Sequence, residues 1–150
     1  MAETYTFEYH VECPVPREFA WRFWSTVSNW TLDSDVESVE LNGPFISGSH
    51  GVTLSRSSGR IEWKLSNVQP GRSAIVEISI PGANAHFEML FEDSGKATRI
   101  TQQVRIEGEN AQALGQSLQL GIPEGMKKLC TKMTELAASS IDGEPRRFPD

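Results

Sequence analysis

Between Pro14 and Phe45 the chain passes from a proline-led stretch crowded with aromatics, through a turn marked by Trp30, into a strand-like segment. This succession narrows the possible folds further than any other part of the sequence. Neither Pro14 nor Pro16 can donate a ladder hydrogen bond, so a preceding strand must stop there. Pro16 suits the first turn of a helix, and Glu18 complements that helix's positive end. Phe19, Ala20, Phe23, Trp24 and Val27 recur at helical spacing. They predict an amphipathic helix over residues 16–25, with a second short helical turn around Ser28 and Trp30. The order of helix, Trp-marked turn and strand points to a sheet wrapped around a cavity, and so to binding of an apolar small molecule.

The flanking sequence supplies the sheet. Tyr5, Phe7, Tyr9, Val11 and Cys13 alternate with Thr6, Glu8, His10 and Glu12, the period-two signature of a half-buried strand. Further strands are predicted at Val36–Leu41, around Val52 and Leu54, over Ile61, Trp63 and Leu65, and at Ala74, Val76, Ile78 and Ile80. Two more follow at Phe87, Met89 and Phe91, and at Ile100, Gln102, Val104 and Ile106. Gly43, Gly48 and Gly51, Ser57-Ser58-Gly59, Pro70-Gly71, Pro81-Gly82 and Asp93-Ser94-Gly95 punctuate them. Seven strands joined by short turns form an antiparallel meander.

After Gly108 the periodicity changes. Ala111, Leu114 and Leu118 predict a shorter helical or kinked stretch over 110–120, and Gly121 and Pro123 threaten a break. Ile122, Met126, Leu129, Cys130, Met133, Leu136 and Ala137 then carry a long apolar stripe opposite Lys127, Lys128 and Lys132. One domain is expected over 1–140, with a mobile tail over 141–150. A chain of 150 residues is long enough to bury a substantial core.

A net charge of −6 and the lack of a basic stripe argue against nucleic acid. No stretch approaches the roughly 18 apolar residues of a bilayer span, so stable membrane insertion is not expected. Met1-Ala2-Glu3-Thr4-Tyr5 has neither the basic nor the apolar region of a signal peptide, which predicts a cytoplasmic protein. Cys13 and Cys130 have no metal-ligand spacing and sit among apolar neighbours, so free buried thiols are expected rather than a disulfide. No metal and no cofactor are expected.

The chain resembles the START-like, or SRPBCC, superfamily, and within it the polyketide cyclase/dehydrase and lipid-transport type family. The resemblance rests on Pro14-Val15-Pro16-Arg17-Glu18-Phe19-Ala20-Trp21, Trp30, Val36-Glu37-Ser38-Val39-Glu40-Leu41 and Gly43-Pro44-Phe45 with Gly48. Val68-Gln69-Pro70-Gly71-Arg72, Thr98-Arg99-Ile100-Thr101 and Gly121-Ile122-Pro123-Glu124-Gly125-Met126 continue it. It covers residues 5–138. It implies an α+β helix-grip fold: a curved seven-stranded antiparallel sheet around a long C-terminal helix, with two short helices after the first strand and a cavity for hydrophobic ligands. Relatives often carry an aromatic where this chain has Leu32, which bears on the cavity mouth. The fold hosts carriers, sensors, cyclases and cochaperone-like domains, so it implies no single reaction.

Candidate ligand contacts are the inward residues of the sheet, Trp30, Trp63, Val76, Ile78, Phe87, Met89, Phe91, Gln102 and Val104, faced by Met126, Leu129 and Met133. Core packing explains the aromatic and aliphatic members equally well. Gln102 is more informative, because an amide on an apolar face must find partners; Tyr9 offers a phenol in the same role. His50, with Asp33 and Asp35 nearby, is the candidate acid–base pair for an aldol-type cyclisation. The reading preferred on these grounds is binding or transport of a hydrophobic or amphipathic, lipid- or polyketide-like molecule. The alternatives are a polyketide cyclase/dehydratase and a cochaperone-like module for an apolar protein segment. Ile75 and Leu90, outward on their strands, suggest a homodimer surface.

Overall fold

The computed structural model describes residues 3–32 and 35–138; Asp33, the side chain of Leu32 and the expected tail over 141–150 lie outside the described residues. β1 (Glu3–Cys13) leads into α1 (Arg17–Ser25) and a 3-10 turn (Val27–Leu32). Then come β2 (Val36–Asn42), β3 (His50–Ser55), β4 (Gly59–Gln69), β5 (Ser73–Ile80), β6 (Ala83–Ser94), β7 (Ala97–Gly108) and α2 (Ala111–Ala138). The strands form one antiparallel sheet in the order β1-β7-β6-β5-β4-β3-β2. Successive hairpins build it from β2 to β7, and β1 pairs with β7, so β1 and β2 are its two edges.

Turn chemistry fixes the hairpins. At Gln69-Pro70-Gly71-Arg72 proline presets one φ and Gly71 takes φ +78°, where an L side chain would be strained. The Arg72 N–H closes the turn on the Gln69 carbonyl at 2.9 Å. Bulges in β4 between Ser66 and Gln69, and in β2 between Val36 and Ser38, bend the sheet.

The alternation expected of each strand sorts its residues as predicted. On the inner face, Tyr9 lies opposite Gln102, which lies opposite Met89, while Phe87 lies between Val76 and Val104. α2 packs on β1 and on the neighbouring β7. The apolar interior divides in two. One cluster joins Cys13, Val15, the α1 aromatics, Trp63, Leu65, Phe91 and Ile100 to Met126 and Met133. The other joins Ala83, Ala85, Val104, Ile106 and Ala111, with Leu114 and Leu118 packed against it.

Two expectations are corrected. α2 runs unbroken through Pro123 instead of being entered through a separate kinked stretch. An interior proline costs roughly 3 kcal/mol, and burial on both sides of it, at Ala111 and Gly115 and at Met126 and Met133, outweighs that cost. The second correction concerns the thiols. Cys13 and Cys130 are joined as a disulfide with a Cα separation of 5.5 Å. The cause is tertiary: α2 lies on β1 and brings its apolar stripe over the strand's last residue. Among the described residues no helix is long and apolar enough to cross a membrane.

Candidate functional site

The end of the inner face nearest α1 is occupied by the chain's own rings. Trp21 and Trp24 each lie edge-on or tilted against Phe45 and Phe91, with centroids 5.4–5.7 Å apart. Trp30 lies 5.8 Å from Trp24 and 5.0 Å from Trp63. The last carbonyls of a helix lack intrahelical donors. Here Asn29 Nδ2 donates to the Phe23 carbonyl at 2.9 Å and Trp30 Nε1 to the Trp24 carbonyl at 2.7 Å. Trp30 therefore anchors the end of α1 as well as facing the sheet.

The sequence-derived ligand residues fall into two groups. Trp63, Val76, Met89, Phe91, Val104, Met126 and Met133 are buried in the core. Trp30, Ile78, Phe87, Gln102 and Leu129 keep part of their surface exposed. Phe87 and Ile122 pack against both apolar clusters and mark the seam between them. Beside that seam lie Ile78, Tyr9 and Gln102, all half-buried on inward registers. Neither the Gln102 amide nor the Tyr9 hydroxyl bonds to a described residue, although the two positions are cross-strand partners. The seam is thus a half-buried apolar strip of the inner face that carries two unengaged polar groups.

His50 is elsewhere. It opens β3 on the outward register, opposite Asn42 and Lys64. Asp35 lies at the other end of that strand pair, where its carboxylate accepts from the Ser55 hydroxyl at 2.6 Å and the Ser57 hydroxyl at 2.7 Å. Those two hydroxyls hold its pKa below the usual 3.8. Antiparallel register separates His50 from Asp35, so the expected pair between them does not form.

His50 lines a cavity of about 1050 Å³ whose walls take Glu40, Glu62, Lys64, Glu77, Asn84 and His86 from outward registers and Leu41, Gly51, Trp63 and Ile78 from inward ones. His86 Nε2 is 3.7 Å from Glu77 Oε1. The Ser66 hydroxyl, with Lys64 and His86, keeps the Glu77 carboxyl below the usual 4.5. A carboxyl lowered on folding stabilises the fold above its unfolded pKa, and that contribution is lost as the pH falls through the folded value. The advantage of wild type over Glu77→Gln should be under about 1 kcal/mol, because the pair is partly solvated. Urea denaturation should show it at about pH 6.5 and show it shrinking as the pH falls below 4.5.

The signals that sequence reading missed are close approaches. A Cβ on Gly51 would lie 2.2 Å from the Trp63 ring, and one on Gly115 would lie 2.1 Å from the Tyr5 ring. A glycine on an inward strand register opposite a tryptophan was visible in the alternation; the Gly115 contact needed the docking of α2.

No family model matches the chain, and no curated protein matches it in sequence. Solved structures do match in shape. The Zhui aromatase/cyclase from Streptomyces sp. R1128 superposes with a TM-score of 0.78 at 11% identity, over 95% of this chain and 100% of that one. Ara h 8.0201 gives 0.72 at 14% identity, over 92% and 100%. Norcoclaurine synthase from Thalictrum flavum in complex with dopamine and hydroxybenzaldehyde gives 0.67 at 11% identity, over 93% and 89%. At these identities the likeness establishes the fold, and it is the helix-grip arrangement that the resemblance implied.

Proposed function

We propose that this protein binds an apolar or amphipathic small molecule at the seam between α2 and the inner face of the sheet, with a polar group of the ligand meeting Gln102 and Tyr9. The observation that carries this reading is the pair of unengaged polar side chains set among half-exposed apolar ones, Ile78, Phe87 and Ile122. Covering the apolar surface would supply most of the affinity, at about 25 cal/mol per Å² before entropic costs. The amide and the phenol would fix orientation, since each loses water on burial and must be repaid by a ligand group. That norcoclaurine synthase holds dopamine and hydroxybenzaldehyde on the same fold supports a ligand of this character. A cyclase would need convergent ionisable groups facing inward. The described inward registers offer tyrosines, while His50, Glu77 and His86 face the other way.

Native mass spectrometry of gently purified protein, beside an organic extract of the same sample, tests the reading. A bound mass that is lost on unfolding is the expected result. Gln102→Leu should weaken that ligand by about tenfold, the worth of one hydrogen bond, with thermal stability unchanged or raised. A bare protein mass, together with no binding of 1-anilinonaphthalene-8-sulfonate, would overturn it.

A further inference from the structure

We propose that the Cys13–Cys130 disulfide is a redox latch that holds the second half of α2 against the seam. The role in ligand access rests on the binding reading above; the latch itself does not. The two halves of α2 are secured differently. The first half needs no covalent tie: Ala111 is fully buried, Gly115 sits against the Tyr5 ring, and the Tyr5 hydroxyl donates to Gln119. Past it lies Gly121-Ile122-Pro123-Glu124-Gly125, where a Cβ on either glycine would meet nothing and the proline supplies no helical hydrogen bond. Two glycines flanking a proline make this the weakest turn of the helix. Beyond it, Cys130 is bonded to the last residue of β1, across 117 residues of sequence.

The bridge is placed to be opened from one side. Cys13 is fully buried, whereas Cys130 is half-exposed. A small thiolate would attack the Cys130 sulfur, forming a mixed disulfide and releasing Cys13 as a thiolate that takes up a proton. A second external thiolate would then attack the external sulfur of that mixed disulfide, forming the oxidised external disulfide and releasing Cys130. Two electrons and two protons reach the protein, and two external thiols become one disulfide. The segment past Gly121 is then held by side-chain packing alone and can pivot at Gly121–Gly125. Ile122, which touches both apolar clusters at the seam with Phe87, lies inside that hinge.

Amide exchange followed by mass spectrometry, on oxidised protein and on the same protein reduced with dithiothreitol, tests the latch. Reduction should accelerate exchange over 122–138 at least tenfold more than over β5 and β6, with tryptic cleavage after Lys127, Lys128 and Lys132 rising in step. The variant Cys130→Ala, without reductant, should match the reduced protein. Equal acceleration in helix and sheet would overturn the latch, leaving a general staple. So would alkylation of two free thiols in protein purified without reductant. A shift of at least fivefold in 1-anilinonaphthalene-8-sulfonate affinity between the two forms supports control of access, and equal affinity overturns it. If the dye binds neither form and the native mass is bare, the binding reading fails while the exchange contrast still decides the latch.

Discussion

Trp63→Ala will lower the free energy of unfolding by about 3–5 kcal/mol, the largest loss expected of any single side chain on the inner face. Trp63 is 3% exposed and holds three things together. Its ring lies over Gly51, packs on Trp30 with centroids 5.0 Å apart, and donates through Nε1 to the Thr53 hydroxyl at 3.0 Å. Truncation opens a cavity between β3, β4 and the 3-10 turn and strips the Thr53 hydroxyl of its partner. Gly51→Ala approaches the same contact from the other side: its methyl enters the ring's space, at about 1–3 kcal/mol. In the double variant that methyl has the vacated cavity to occupy, so the summed losses should exceed the measured one. Urea denaturation of the four proteins of this cycle measures all three quantities. Strict additivity would show that the ring does not rest on Gly51.

The strands were legible because each has one wet and one dry face. Tyr5 to Cys13 and Ala83 to Met89 alternate strictly, and register then follows from the Gly-bearing turns between them. What alternation cannot give is which inward side chain meets solvent. Phe87 and Met89 read alike in the sequence, yet Met89 is 4% exposed while Phe87 stays half-buried at the seam. That difference is set by how the helices dock on the sheet, with α1 packed on β6. The same docking carries α2 past Pro123, where local propensity argues for a break.

The candidate site was legible in part. Gln102 stood out as an amide on an otherwise apolar row, and it does lie unengaged on the inner face. His50 was harder, because a residue at the first position of a strand can be assigned to either face until its partners are known. Opposite Lys64 it joins the outward row that runs on through Glu77 on β5 to His86 on β6. Cysteine spacing carries little weight across 117 residues; only the approach of α2 to β1 brings the two sulfurs together.

Reducing that bridge will lower stability by about 2–4 kcal/mol, out of roughly 5 that chain entropy alone would give for so long a loop. The effect acts chiefly on the unfolded chain. With the bond intact, an unfolded molecule keeps residues 13 and 130 together and loses the freedom of everything between them, β2 to β7 included. Reduction restores that freedom and leaves the sheet's own contacts in place, so the strands should give unchanged far-ultraviolet circular dichroism in the absence of denaturant. The urea midpoint should fall by about 1–2 M. This loss is separate from the local release of α2, because it depends on the length of the closed loop, and only logarithmically. A drop below about 0.5 kcal/mol on reduction, with the bond shown intact beforehand by mass, would mean that the unfolded ensemble already keeps the two ends together.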